Sequence, residues 1–179
     1  MSADQPFSHA LQTRNRLMQV GHTLFSDQGY AATSMRQVAE NSGLALGGIY
    51  NHYSSKEAIF EAILLEKNPF IQGNLRPLLE NFDRQQIKIL LDELEKHPEF
   101  FNIILIELVE FKGKHMPKLF DTISGGLPPP ASWRTLFSLI ISYHITQILL
   151  AGTFPTMVQQ QISPDALLDF IQQGILVSE

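Results

Sequence analysis

The first regular apolar pattern in the chain follows Thr13 and repeats every three or four residues. Its members are Leu17, Val20, Gly21, Leu24 and Phe25. This spacing places them on one face of an amphipathic helix. Gly29 readily adopts the left-handed conformation that ends many helices, so the helix is predicted to stop there.

Two short helices joined by a tight turn are predicted next. Ser34 and Gln37 have the spacing of a capping box that opens the first helix, and Gly43 permits the turn that follows. The second helix, from about Ala45 to His52, directs Ile49 inward. The residues facing elsewhere are Leu46, Gly47, Tyr50 and Asn51. This pattern is typical of a helix-turn-helix, although similar helical hairpins occur in proteins that never contact DNA.

The rest of the chain is also predicted to be helical. Ser54 and Glu57 form a second capping box, which predicts a helix to about Lys67. Longer apolar segments predict helices at residues 82–96, 98–112, 133–150 and 164–177, with a loop at 124–130. No segment alternates with the period of a strand. The chain is therefore predicted to be all-α, with a small N-terminal unit and a larger helical body.

Five short motifs in the N-terminal unit carry a family resemblance. They are Leu24 to Tyr30 (LFSDQGY), Thr33-Ser34, Val38 to Leu44 (VAENSGL), Gly47 to Tyr53 (GGIYNHY) and Ser55-Lys56-Glu57. Over about residues 13–65 these motifs strongly resemble the DNA-binding domain of the tetracycline-repressor (TetR) family. The resemblance implies an N-terminal three-helix DNA-binding domain at 10–55, with a brace helix at about 35–42 and a recognition helix at about 45–51. It also implies a C-terminal helical domain for ligand binding and dimerisation at 56–179.

The resemblance further implies which residues contact DNA. The positions that match usual phosphate or sugar contacts are Thr33, Tyr50, His52 and Lys56. A solvated surface lysine is the alternative for Lys56. The family commonly has polar or basic residues where this chain has Ala45, Leu46 and Gly48, so donors are missing at these positions.

Two interpretations of base recognition follow from this loss of donors. In the first, Leu46 packs on a thymine methyl group, Asn51 or Tyr50 reads base edges, and Gly47 with Gly48 lets the backbone approach closely. In the second, Leu46 is a core or interface residue. Specificity then comes from Arg36, Gln37 and the shape of the DNA.

The charge of the chain is unevenly distributed. The net charge is -5, but residues 1–56 carry four Arg and Lys against three Asp and Glu, which leaves -6 for the rest. This distribution excludes a general coat protein for nucleic acid and favours a local DNA site. Because the site has few basic residues, we expect shallow salt dependence per half-site and a need for two half-sites.

Composition narrows the remaining classes of function. Charged residues make up 17% of the chain, below the roughly 25% of an ordinary soluble domain, which suggests surface hidden by a partner. With no cysteine, disulfides and cysteine metal sites are excluded. The six histidines form no metal-ligand pair, and no nucleotide-binding loop or nucleophile motif is present. We therefore expect no enzymatic activity, no cofactor and no metal.

The chain also lacks the sequence marks of a targeting or membrane segment. The N-terminus has no basic start followed by an apolar run, so no signal peptide is predicted. The apolar stretch at 136–151 is interrupted by polar residues and falls short of the ~20 needed to cross a bilayer. We expect a cytoplasmic protein that has no contact with a membrane.

The helical body offers a candidate effector pocket. Glu107 and Glu110 lie on a helix that is apolar almost all round, where unpaired carboxylates are costly. They could hold a cationic ligand between aromatic walls. The candidate lining is Phe101, Glu107, Glu110, Trp133, Tyr143 and His144. Alternatively, the two glutamates lie on an exposed edge or pair with Lys112 and Lys114, and His144 is a hydrogen-bonded core residue.

The last two predicted helices offer a candidate dimer interface. Small hydroxyl residues form a file along the first of them, and apolar residues form a stripe on the second. The candidates are Ser138, Ser142 and Thr146, with Leu167, Leu168, Ile171 and Ile175. Two such helices from each subunit could form a four-helix interface, or each stripe could belong to the core of its own subunit.

The sequence therefore predicts a regulator of transcription. It would bind a pseudo-palindromic operator as a homodimer, act as a repressor, and leave DNA when a small-molecule effector binds. The alternative is a helical ligand-binding or protein-interaction module whose DNA reader has degenerated.

Overall fold

The computed structural model describes residues 5–69, 84–126, 137–146 and 169. Its helices are α1 (Gln5–Gln28), α2 (Met35–Asn41), α3 (Leu46–Ile49), α4 (Lys56–Glu66), α5 (Arg84–Lys96), α6 (Pro98–Glu110) and α7 (Met116–Ser124). Residues 137–146 are helical as well. None of these described residues lies in a strand, and the predicted all-α class is confirmed.

Helix α1 begins earlier than the apolar stripe suggested, at Gln5 rather than near Thr13. Pro6 fits this start because the first turn of a helix needs no N–H from it. Gly29 ends the helix with φ of +86°, as predicted. Leu17 and Phe25 of the stripe are buried.

Helix α2 is capped as the sequence predicts. The Gln37 N–H donates to Ser34 Oγ over 3.2 Å, and the Ser34 N–H donates to Gln37 Oε1 over 2.8 Å. Gly43 takes φ of +71° in the turn that follows. The N–H groups of Ser34 and Gln37, which have no backbone acceptor within the helix, are therefore both hydrogen-bonded. The turn has a glycine where its backbone takes a positive φ.

Helix α3 is shorter than predicted. It ends at Ile49, and the chain continues through a turn in which the N–H groups of His52 and Tyr53 each donate to Ile49 O over 3.0 Å. Ala45, the N-cap residue that precedes α3, has no side-chain group that could accept a hydrogen bond from the helix. We call residues 45–52 the recognition segment, since only part of it is helical.

Helix α4 is capped one residue later than predicted. Ser55, not Ser54, accepts the N–H of Ala58, over 3.1 Å. The helix ends at Glu66 with Lys67 as its C-cap, which agrees with the predicted end near Lys67. Lys56 and Glu57 are thus the first two residues of the helix.

The first compact unit joins Met1–Ile71 to Asn102–Leu119. Its core lies between α1 and α4, where Ile59, Phe60 and Ile63 are fully buried. Gly21 allows the two helices to approach, because a Cβ there would lie 2.8 Å from Ile59 Cγ2. The rings of Phe60 and Phe111 stack with their centroids 4.7 Å apart, so residues after position 102 also contribute to this core. The predicted domain boundary between residues 55 and 56 stays a prediction.

The second compact unit comprises Gln72–Phe101 and Phe120–Glu179. Within it, α5 buries Ile87, Leu90, Leu91 and Leu94. Phe120 meets Phe137 with ring centroids 5.7 Å apart, and the Phe101 ring stacks on His144 at 4.4 Å. Ile140 is buried on the helical stretch 137–146.

Helices α6 and α7 depart from the prediction in two ways. Helix α6 ends at Glu110 rather than Lys112, because Lys112 and Gly113 both take positive φ, +55° and +78°. Helix α7 was not predicted, although Met116 and Leu119 have helical spacing and are buried. Its nine residues are too short a window for periodicity to stand out. Within the described ranges, no helix has the length and apolar character needed to cross a membrane.

Candidate nucleic-acid interface

The recognition segment exposes the side that the sequence assigned to DNA. Leu46 and Tyr50 are 41% and 52% exposed, whereas Ile49 is fully buried and Tyr53 nearly so. Asn51 is exposed and His52 half-buried. No atom lies within 4 Å of the position that a Cβ on Gly47 would occupy. Leu46 is thus not a residue of this subunit's core, and the backbone at Gly47 is open to a ligand.

Arg36 and Gln37, the polar residues of α2 assigned to DNA recognition, differ in whether their side chains are free to bind a ligand. Arg36 is exposed, and its Nε lies 3.3 Å from the equally exposed Glu40 Oε1. Such an exposed pair has little net stability, so the guanidinium can turn to another anion. Gln37 instead uses its Oε1 in the capping box. Arg36 is therefore the freer of the two.

Thr33 is buried, with only 2% of its surface exposed. Its hydroxyl donates to Gly29 O over 2.9 Å and accepts from Gln28 Nε2 over 3.1 Å. These bonds tie the loop between α1 and α2 to the end of α1. A hydroxyl has a single hydrogen to donate, and here that hydrogen is used within the chain.

Lys56 is held by the same loop. Its Nζ donates to Tyr30 O over 2.6 Å and to Thr33 O over 2.7 Å, and it lies 4.0 Å from the centre of the Tyr30 ring. Partial burial lowers the pKa of this ammonium. The alternative of a freely solvated lysine is therefore wrong. An ammonium has three donors, so one remains beside the two carbonyl bonds.

Arg14 is held in an ion pair within the chain. Its guanidinium makes a two-pronged ion pair with Glu66 on α4, in which Nη1 lies 2.6 Å from Oε2. This bond raises the pKa of Arg14 and lowers that of Glu66. The same guanidinium lies 5.4 Å from the centre of the Tyr53 ring, and burial raises the pKa of Tyr53 to about 12. Arg14 thus fastens α1 to α4.

Glu57 and Glu107 meet at His115, a cluster that the sequence did not predict. Glu107 is fully buried, and it accepts the His115 N–H over 2.6 Å and lies 2.8 Å from His115 Nδ1. His115 Nε2 lies 3.1 Å from Glu57 Oε1, which also accepts from Lys114 Nζ over 2.5 Å. The bonds to Lys114 and His115 lower the pKa of Glu57. No local motif could reveal contacts between residues some 58 positions apart.

The residues assigned to an effector pocket differ in burial and in the side chains that they contact. Glu107 is buried against His115, so the exposed-edge alternative and pairing with Lys112 or Lys114 are both wrong for it. Glu110 is exposed. Phe101, Tyr143 and His144 do form one ring cluster, in which His144 Nδ1 also lies 2.9 Å from Ile140 O. Trp133 lies outside the described residues.

The residues assigned to a dimer interface are described in part. Ser138, Ser142 and Thr146 are exposed along one side of the helical stretch 137–146, opposite the buried Ile140. The apolar residues Leu167, Leu168, Ile171 and Ile175 lie outside the described residues. Across the portion that the structure describes, no group of three His, Asp or Glu side chains could hold a metal ion.

Comparisons with known proteins agree with the helix-turn-helix. Residues 17–63 match the family model for bacterial regulatory proteins of the tetR family. The chain is 32% identical over 80 residues to the HTH-type transcriptional repressor KstR2 of Mycolicibacterium smegmatis, a match that covers 45% of this chain and 38% of that protein. The match spans less than half the length of KstR2 and of the Escherichia coli regulator UidR.

Solved structures share the fold over most of the chain. Salmonella enterica GusR is similar with a TM-score of 0.65 and 15% identity, covering 97% of each chain. NalD, the secondary repressor of the MexAB-OprM multidrug efflux pump in Pseudomonas aeruginosa, is similar with a TM-score of 0.60 and 17% identity, covering 92% of this chain and 94% of its own. At such low identity these matches establish the fold alone.

Proposed function

The chain belongs to the tetR family of bacterial regulatory proteins through residues 17–63, and on this premise we propose that it is a ligand-responsive repressor of transcription. It binds a pseudo-palindromic operator as a cytoplasmic homodimer and leaves the DNA when a small-molecule effector binds. The observation that carries the proposal is the recognition segment, which is exposed on one side and fixed on the other. The name of KstR2, a transcriptional repressor, supports the direction of regulation.

The recognition segment reads base edges mainly through apolar contact and close approach. Leu46 packs on thymine methyl groups, and Tyr50 and Asn51 contact neighbouring base edges or sugars. Gly47 and Gly48 let the backbone approach the groove. Because α3 has no charged side chain, the DNA sites that the protein prefers should contain thymine at defined positions.

Phosphate contacts fix the protein on the duplex. Arg36 of α2 and His52 at the end of the recognition segment bind phosphates, and Lys56 offers its third N–H to a phosphate oxygen at the start of α4. Thr33 acts by holding the loop rather than by direct contact, since its hydrogen bonds are satisfied within the chain. With few free cations, each half-site is weak and the dimer is required.

The body supplies dimerisation and effector binding. The exposed hydroxyl residues Ser138, Ser142 and Thr146 let a helix of a second subunit pack closely, with Leu167, Leu168, Ile171 and Ile175 completing the interface. The ring cluster of Phe101, Tyr143 and His144, with Trp133, is the candidate wall of the effector site. Light scattering at micromolar concentration should give the mass of a dimer, and a 20.2 kDa particle would contradict this proposal.

A gel shift tests the proposed function. The wild-type protein should retard the DNA that flanks its own gene in the presence of excess unrelated duplex. The double variant L46A/Y50A removes exposed side chains only, so it should fold normally and lose specific retardation. An Ile89→Ala variant, on α5, removes another exposed apolar residue and should bind like wild type. Absence of specific retardation by the wild type would instead favour the ligand-binding or protein-interaction module.

A further inference from the structure

Arg16 is an exposed residue of α1 to which the proposed function gives no role. Among the residues that the structure describes, its guanidinium has neither a hydrogen bond nor an ion pair. Each of the other Arg and Lys side chains in residues 5–56 has a partner within the chain. They are Arg14 with Glu66, Arg36 with Glu40, and Lys56 with two backbone carbonyls. Within residues 5–56, Arg16 is therefore the one Arg or Lys whose charged group binds nothing in the protein.

The sequence of α1 explains why Arg16 stays unpaired. Side chains three or four residues apart are neighbours on a helix, and those positions around Arg16 are uncharged. They are Gln12, Thr13, Gln19 and Val20. No Asp or Glu occurs in α1 before Asp27. The positive charge of Arg16 is thus not neutralised by its own helix.

The guanidinium of Arg16 lies at the turn of the helix-turn-helix. A Cβ placed on Gly43 would be 3.7 Å from Arg16 Nη2, which is an ordinary van der Waals distance. Gly43 is exposed in the turn between α2 and α3, and the exposed residues Ala45 and Leu46 follow closely after it. Arg16 therefore extends the exposed surface of the recognition segment onto α1.

An unpaired guanidinium in this place is suited to a phosphate group. Its N–H groups can bind two oxygens of one phosphate, and it is more weakly hydrated than an ammonium. The major groove is about 12 Å wide, close to the diameter of a helix with its side chains. A recognition segment in that groove has a sugar–phosphate strand on each side, within reach of the elements that flank it. Binding by Arg16 breaks no existing ion pair, whereas Arg36 must leave Glu40.

We propose that Arg16 binds a phosphate of the DNA strand beside the turn of the helix-turn-helix, so that α1 forms part of the DNA interface. The inference rests on the proposed function. The contact adds affinity and fixes the position of the protein on the duplex, but it reads no base. Each subunit of the dimer supplies one such contact, so two phosphates are neutralised.

Fluorescence anisotropy with the duplex that flanks the gene, measured from about 50 to about 200 mM salt, tests this inference. The logarithm of the affinity falls with the logarithm of the salt concentration by about 0.9 per neutralised phosphate. The slope for R16Q should therefore be shallower than that of wild type by about 1.8, and the advantage of wild type in Kd should shrink about tenfold across this range. An R16Q slope equal to that of wild type would overturn the inference.

Matched variants separate position from charge. R16K keeps the charge and should keep the slope of wild type. K67Q removes one charge from the exposed C-cap of α4, about 16 Å along that helix from Lys56, and should also keep the slope of wild type. An R16K slope as shallow as that of R16Q would overturn the inference. An equal loss in K67Q would do the same, because the effect would then follow net charge rather than position.

Two further measurements distinguish phosphate binding from a structural role. R16Q should melt within about 2 °C of wild type, because Arg16 is exposed and unpaired. It should weaken binding to the flanking duplex and to a scrambled duplex by the same factor, since phosphates carry no sequence information. A larger drop in melting temperature, or a loss confined to the flanking duplex, would overturn the inference.

The wild-type protein separates this inference from the proposed function. If wild type prefers the flanking duplex and R16Q has an unchanged slope, the inference alone fails. If wild type binds flanking and scrambled duplexes equally and R16Q has the shallower slope, sequence-specific recognition fails while the phosphate contact of Arg16 stands. A wild type that binds no duplex would overturn both.

Discussion

The recognition segment and the first turn of α4 are close in sequence but opposite in construction. Residues 45–52 have an uncapped helix of four residues, two glycines, and exposed Leu46 and Tyr50. Residues 55–57 have a capped helix start whose side chains bond the α1–α2 loop on one side and residues 114–115 on the other. The contrast suggests that residues 55–57 and their partners contribute stability. The exposed side chains of the recognition segment contribute specificity.

The largest expected difference between the two regions concerns core packing. Phe60, one turn into α4, is fully buried among other rings, so F60A should lower the free energy of unfolding by about 3–5 kcal/mol. The matched variant Y50A removes a ring that is half exposed and should change stability by no more than about 0.5 kcal/mol. Urea denaturation followed by circular dichroism measures both. Equal losses would refute the contrast.

Lys56 provides the next test. Replacing it with Met keeps the stem but leaves the carbonyls of Tyr30 and Thr33 without their donor, so the expected loss is about 1–3 kcal/mol. The control K118M removes an exposed ion pair on α7 and should cost at most about 1 kcal/mol. The same denaturation measurement applies. A K56M protein as stable as wild type would show that the loop does not depend on Lys56.

Two glycines sharpen the comparison further. Gly43 has φ of +71°, so G43A should cost about 1–2 kcal/mol through backbone strain. Gly47 lies in open space on α3, and G47A should add up to about 1 kcal/mol through better helix propensity. Thermal melts give the order of stability. Gel shifts should show weaker operator binding by G47A. Unchanged binding would contradict the close approach of the Gly47 backbone to the DNA groove.

The smallest expected effect is a pH dependence at the exposed ion pair between α1 and α4. The pair lowers the pKa of Glu66, so its stabilisation is present above the usual pKa of a glutamate and is lost as the pH falls through the lowered pKa. Both side chains are about one-third or more exposed, so screening limits the effect to about 1 kcal/mol. Melts of wild type and E66Q should converge at acid pH. A gap of the same size at every pH would contradict this assignment.

The sequence predicted the elements that depend on local chemistry. The capping box of Ser34 and Gln37 and the glycine turns at 29 and 43 formed as expected, because each involves residues within four positions. The cap at Ser55 was missed because Ser54 and Glu57 have the spacing of a capping box, whereas Ser55 is followed three residues later by Ala58. The contacts of Lys56 with Thr33 and of His115 with Glu57 could not be predicted, since they join residues 23 and 58 positions apart and follow from packing alone.

The central claim is that the recognition segment reads a specific duplex as part of a dimer, and selection from a random duplex library tests it most directly. The enriched duplexes should contain an inverted repeat with half-sites about 10–10.5 bp apart, centre to centre, or a multiple of that spacing. Binding to the repeat should be at least about 10³-fold tighter than to a scrambled duplex, and L46A should lose the preference for thymine at a defined position. Enrichment of no sequence, or equal affinity for repeat and scramble, would contradict the account.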